Sequence, residues 1–217
     1  MTDTHDNYSA DTRGKTMHLE TIWRSTGTIA AALFTASVTG FALALPGYQH
    51  LLHPVALLGA PGIPNANAFN LFGFLLPGLL AAVLATYLMT RPMQHASWSL
   101  RIGIQLVMLS GLAFAAMGIL PLDIGELEGR TTQYHATVWL LWGIAFCTAT
   151  ALLTFALLSR PGVVMLTWAT CIAGLIVAAS SFGPAERLHP GLAQRIGFAA
   201  WLLWLMLAGW RWPTSSP

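Results

Sequence analysis

Charge is what this sequence has least of. Of its 217 residues only 8% are Asp, Glu, Lys or Arg, against roughly 25% in a soluble domain. So few charges cannot cover a water-facing surface, and lipid is the solvent that fits. The net charge of +2 excludes a polyanion binder too, since no run of Lys or Arg forms a stripe for nucleic-acid phosphates. Cysteine is nearly as scarce. Cys147 and Cys171 both fall inside apolar segments and form no CxxC, so neither a disulfide framework nor a zinc site follows from them. They read as free thiols that pack as small hydrophobes. There is no P-loop, no GxGxxG after a strand and no GxSxG elbow. No pair of helix-borne His suits a haem, and no helix carries a buried carboxylate of the kind proton-coupled pumps use. The sequence therefore names no cofactor.

What the chain does have is apolar length. Hydrophobic residues make up 55%, and the mean hydropathy is +0.63. A helix needs about 20 apolar residues to cross the hydrocarbon core, and six stretches qualify: 27–45, 71–89, 102–120, 136–158, 163–182 and 192–210. Their ends carry charge or proline, such as Pro46-Gly47, Arg91-Pro92, Pro121, Arg160-Pro161-Gly162 and Gly183-Pro184, as helix termini do. The runs do not alternate apolar with polar, which excludes an outer-membrane barrel. The expected fold is all-α, a polytopic bundle of six transmembrane helices spanning residues 23–212. Residues 1–22 read as a disordered cytoplasmic tail and 213–217 as a second short one.

Orientation follows from Lys and Arg in the short loops. With the N-terminus inside, Arg13, Lys15, Arg24, Arg91, Arg101, Arg160 and Arg211 lie on the cytoplasmic side, and only Arg130, Arg187 and Arg195 outside. Both termini are thus expected in the cytoplasm. Small residues such as Ala30, Ala31 and Ala32, Gly111, Ala115 and Ala116, and Ala169, Ala173 and Gly174 let helices approach closely. Pro77, beside Gly78 in the second stretch, is expected to kink its helix. No internal repeat is visible, and nothing decides the oligomeric state.

Polar chemistry gathers at the outer end. The first outer loop holds His50, His53, Asn65, Asn67 and Asn70. The second holds Asp123, Glu126, Glu128, Arg130, Gln133 and His135. The third holds Glu186, Arg187 and His189, with Gln194 and Arg195 following. The first loop is also apolar, reading His53-Pro54-Val55-Ala56-Leu57-Leu58-Gly59. It is expected to lie on the membrane surface or fold over the bundle mouth. His50 and His53 sit three apart and would share a helical face; with His135 and Asp123 they form a candidate metal set. His135, followed by Trp139 and Trp142, reads either as a general base walled by aromatics or as part of an interfacial belt. Asp123 reads as a partner for His135 or for Arg130, Arg187 or Arg195, or as a plain loop acid. Arg195 can snorkel; its expected anion is Asp123, Glu186, a lipid phosphate or an acidic substrate. Trp201 and Trp204 read as packing residues, and Trp210-Arg211-Trp212 as an inner interface anchor.

Several segments taken together resemble a known family: His53-Pro54-Val55-Ala56-Leu57-Leu58-Gly59, Asn70-Leu71-Phe72-Gly73-Phe74 with Pro77-Gly78, Gly118-Ile119-Leu120-Pro121-Leu122-Asp123 with His135, and Gly191-Leu192-Ala193-Gln194-Arg195-Ile196-Gly197. They are similar to the bacterial membrane family called domain of unknown function 998. The resemblance covers most of the chain from the first apolar stretch to the last. It implies a six-helix inner-membrane protein and supplies no activity or substrate. It points to the residues already singled out: His53, Asp123, His135, Gln194 and Arg195.

Three functional readings follow. In the first, an outward-facing pocket at the bundle mouth binds a small molecule or lipid through His53, Asp123, His135, Gln194 and Arg195. In the second, the protein is a membrane-embedded enzyme in which His135 and Asp123 supply acid–base chemistry, or His50, His53 and His135 a metal, for a lipid-like substrate. In the third it is an accessory or assembly subunit. Convergence of the outer residues in space separates the first two readings from the third.

Overall fold

The computed structural model describes residues 3–91, 97–183 and 189–213, with side chains from Leu19 onward. All its regular elements are helical. The first helix, α1, runs Asp3–Ala44, with its apolar span at Leu19–Ala44. Then come α2 (Ala66–Thr90), α3 (Trp98–Ile119), α4 (Arg130–Leu158), α5 (Val164–Phe182) and α6 (Pro190–Arg211). All six are long and apolar enough to cross a membrane. The protein is thus a multi-pass membrane protein, and the start of the first span lies beside the end of the last, where Trp210 Nε1 donates to the Thr28 hydroxyl at 3.0 Å.

Sequence explains where the helices start and stop. The Ser97 hydroxyl accepts from the Leu100 amide at 3.3 Å and caps α3, satisfying an amide that has no partner within the helix. Pro190 stands at the start of α6, where its missing N–H is not needed. Gly162, at φ +80°, lets the short turn after α4 reverse the chain. Every helix but α5 starts earlier than its apolar stretch, and two of these starts shape the end that carries the loops. The α4 helix begins six residues before Ala136, at Arg130, so His135 sits in its second turn. The α2 helix begins at Ala66. In both cases polar residues extend a helix beyond its apolar run, which hydropathy does not register.

Each helix packs against its neighbours in sequence, and α6 returns against α1. The result is a closed ring of six. Its axis is filled by aromatic rings: Phe34 of α1, Phe74 of α2, Phe114 of α3, Trp142 of α4, and Phe198 and Trp201 of α6. Phe114 lies 5.1 Å from Phe198 and stacks on Trp201 at 4.5 Å, while Phe34 meets Phe198 edge-on at 5.4 Å. These offset and edge-to-face pairs are favoured ring geometries. Trp142 and Trp201 are wholly buried, so both are core residues.

The closest helix approach is between α2 and α3. A Cβ on Gly78 would strike the backbone of Ala115 and Gly111, and one on Gly111 would meet the Ala82 nitrogen at 2.8 Å. Only glycine allows such contact, and dispersion between backbones then holds the pair. Just before Gly78, Pro77 cannot donate a backbone hydrogen bond. A π turn over Asn70–Leu75 precedes it, with the Leu76 amide donating to the Leu71 carbonyl. The Asn70 carbonyl of this turn comes within 2.5 Å of where a Gly118 Cβ would sit, so a glycine of α3 accommodates the bulge.

Candidate functional site

At the end of the bundle opposite the termini, the segment from Leu45 to Asn65 does not extend into water. It is tucked in, with Val55, Ala56, Leu58 and Ala60 buried around a short 3-10 turn at Val55–Gly59. Its apolar composition makes this favourable, and three polar side chains hold it there.

The first two come from α6. Gln194 Oε1 accepts from the Val55 amide at 2.8 Å, satisfying a donor on a fully buried residue. Arg195 donates from Nη1 to the His53 carbonyl at 3.0 Å and to the Gly191 carbonyl at 2.7 Å. From Nη2 it donates to the Tyr48 hydroxyl at 2.6 Å, and the same nitrogen lies 3.3 Å from His50 Nδ1. The guanidinium carbon also stands 5.6 Å from the Tyr48 ring centroid, a cation–π distance. Gly191 permits this approach, since a Cβ there would come within 2.9 Å of three loop carbonyls, those of His50, Leu51 and His53. The Leu192 amide adds a bond to the Leu51 carbonyl at 3.2 Å.

The third is Asn70, in the π turn of α2. It is buried, and its Nδ2 donates to the Gly59 carbonyl at 2.9 Å. Tyr48 completes the cap, with its hydroxyl 3.2 Å from the Pro54 carbonyl. Burial pushes the Tyr48 phenol's pKa above its ordinary value, and Arg195 partly opposes that.

The cluster of Tyr48, His50, His53 and Arg195 is thus real, but it gathers only part of the expected set. His53 uses Nδ1 to accept from the Gln49 amide at 3.0 Å. Asp123 and His135 have other partners. Asp123 Oδ1 accepts from the Gly125 amide at 2.9 Å, and its backbone amide and carbonyl both meet the Thr132 hydroxyl, at 3.2 and 2.9 Å. His135 is 6% exposed; its Nδ1 lies 2.7 Å from the Leu120 carbonyl, and its ring faces Phe74 at 6.5 Å. These contacts fasten the loop after α3 to the first turns of α4. Among the described residues, no three His, Cys, Asp or Glu side chains come together to hold a metal. Glu186 and Arg187, like Pro184, lie outside the described residues. Cys147 and Cys171 are free and half-buried.

With this geometry in hand, the comparison with protein families is informative. The family described as "Protein of unknown function (DUF998)" matches residues 29–211, from the first span to the last. The chain belongs to the DUF998 family. No curated protein and no solved structure matches it. Three of the segments that carry the DUF998 resemblance meet in the fold: the apolar loop is seated on Gly191 and held by Asn70, Gln194 and Arg195, while Asp123 and His135 of the fourth keep other partners.

Tyr48 and Asn70 carry much of this arrangement, and sequence reasoning did not assign either a role. For Asn70 the one signal was its place three residues past the exposed Asn67, at the edge of an apolar run. Tyr48 offered no comparable pattern.

Proposed function

We propose that this protein binds a small molecule or lipid bearing an anionic group at the end opposite its termini, between the capping loop and the first turn of α6. The observation that carries the reading is the state of Arg195. Every partner it has among the described residues is neutral: two carbonyls, a phenol and an imidazole. Its Nε is buried with no partner among those residues. A partly buried guanidinium ordinarily faces an anion, and a ligand carboxylate or phosphate would supply one, approached past the exposed His50. Gln194 and His53 shape the site through the loop they hold. The family match and the arginine distribution support a bacterial inner-membrane setting with both termini cytoplasmic. An enzymatic role would need Asp123 and His135 to turn from their present partners toward a shared substrate, and no contact favours that.

Native mass spectrometry of the detergent-purified protein tests the proposal. The wild type is expected to carry an anionic small molecule or lipid that Arg195→Met loses. Gln194→Ala loosens the same loop without removing the charge, and it should keep the ligand. Equal retention by Arg195→Met, or a wild type that carries no anionic species, contradicts the proposal.

A further inference from the structure

A second site lies at the other end of the molecule, where α1 enters the bundle and α2 leaves it. Leu19, Glu20 and Trp23 of α1 and Thr86, Tyr87, Thr90 and Arg91 at the end of α2 line a cleft of about 380 Å³. Leu19 opens the first apolar span and Thr90 closes the second, so the cleft straddles the membrane–water boundary. Its chemistry divides along its length. On one side are the exposed faces of Leu19 and Trp23, with Trp23 stacked parallel to Tyr87 at 6.5 Å. The Thr86 and Thr90 hydroxyls are already bonded to carbonyls of their own helix, at 3.0 and 2.7 Å, so they add little polarity. On the other side the Tyr87 ring draws in two cations. Arg91 lies over it at 5.2 Å and is ion-paired with Glu20, and Arg24 Nε donates to its hydroxyl at 3.2 Å. Arg91 thus pairs with the one carboxylate of the cleft, and Arg24 approaches from beside it through the Tyr87 hydroxyl.

We propose that this cleft holds an anionic phospholipid, its phosphate on Arg91 and Arg24 and the start of an acyl chain along Leu19 and Trp23. An aromatic pair at headgroup depth beside arginine is the arrangement that interfaces favour, and charge-assisted bonds to phosphate are the strong ones. Glu20 is then a competitor, since it occupies Arg91 when the lipid is absent. This site is independent of the anion site at Arg195.

The test is a titration of delipidated, detergent-purified full-length protein with phosphatidylglycerol and with phosphatidylcholine, read by native mass spectrometry. The wild type should favour phosphatidylglycerol. Arg91→Gln should weaken that binding about tenfold, the effect of one charge-assisted hydrogen bond, and Glu20→Gln should strengthen it by freeing Arg91. Thr86→Phe fills the cleft from an exposed position, so folding tolerates it, and it should weaken binding of both lipids. Equal binding of the two lipids by the wild type overturns the proposal. So does a fall in Glu20→Gln that parallels Arg91→Gln, which would mark the ion pair as structural alone. Bound lipid that Arg91→Gln and Thr86→Phe retain but Arg195→Met loses belongs to the opposite end and also counts against the cleft. Displacement by inorganic phosphate as effective as by phosphatidylglycerol would overturn the lipid assignment in favour of a soluble anion.

Discussion

The two loops at the end opposite the termini differ more than their sequences suggest. Both carry several hydrogen-bonding side chains; the first holds His50 and His53, and the second is followed by His135 in the next helix. The loop after α1 is bound to the rest of the protein by Gln194, Arg195 and Asn70, residues of two other helices. The loop after α3 is bound to itself at Asp123 with Gly125 and otherwise to the start of the next helix in sequence, through Thr132 and His135. The first buries Val55, Leu58 and Ala60 while leaving Leu51 and Leu52 exposed, whereas the second leaves Ile124 and Leu127 exposed. Polar residues at one rim of a bundle can therefore serve different ends. In one loop they fasten an apolar cap, and in the other they shape a turn.

The contrast sets an order of effects on stability. Arg195→Met removes the donors to the His53 and Gly191 carbonyls and to Tyr48 at once, and should cost about 3 kcal/mol as several net hydrogen bonds are lost. Thermal unfolding in detergent measures it, and an effect no larger than that of a surface change would erase the distinction between the loops. Asn70→Ala leaves the Gly59 carbonyl without its donor, and about 2 kcal/mol is expected from a buried group left unsatisfied. Tyr48→Phe should cost about 1 kcal/mol near neutral pH, with a pH dependence that sharpens the picture. The folded-state pKa of Tyr48 is raised, by burial first. Its neutral phenol therefore contributes fully below the usual tyrosine range, and the contribution fades as pH climbs through about 10 and beyond. The gap between wild type and Tyr48→Phe should narrow there. Asp123→Asn, in a partly exposed turn, should change stability by about 0.5 kcal/mol or less. A loss as large as that of Arg195→Met would show that the second loop is also clamped.

The fold was legible because six apolar runs and their charged or proline-bearing ends are one-dimensional signals. The packing reading of Trp201 and Trp204 was legible too, since a helix that rich in tryptophan must bury some of them. The cap was half legible: the apolar run Val55–Gly59 showed that the first loop would not face water, but not which side chains would fasten it. Arg195 and Gln194 find their partners more than 130 residues away in sequence, and no local pattern encodes that pairing. For the same reason sequence alone could not separate His53 from His135. Both are histidines at a span boundary, and only the ring order of the helices gives them different neighbours. Neither the π turn ahead of Pro77 nor its use in placing Asn70 beneath the loop was legible.

Hydrogen exchange by mass spectrometry, comparing the segment 48–60 with 122–129 in the detergent-purified protein, tests the capping loop most directly. Clamped backbone exchanges through larger openings than a loop held by its own turn. Slow exchange in 48–60 is expected, with fast exchange in 122–129, and Arg195→Met should bring the first segment toward the second. Equal rates in the wild type, or protection of 48–60 that survives Arg195→Met unchanged, would contradict a loop held down by α6.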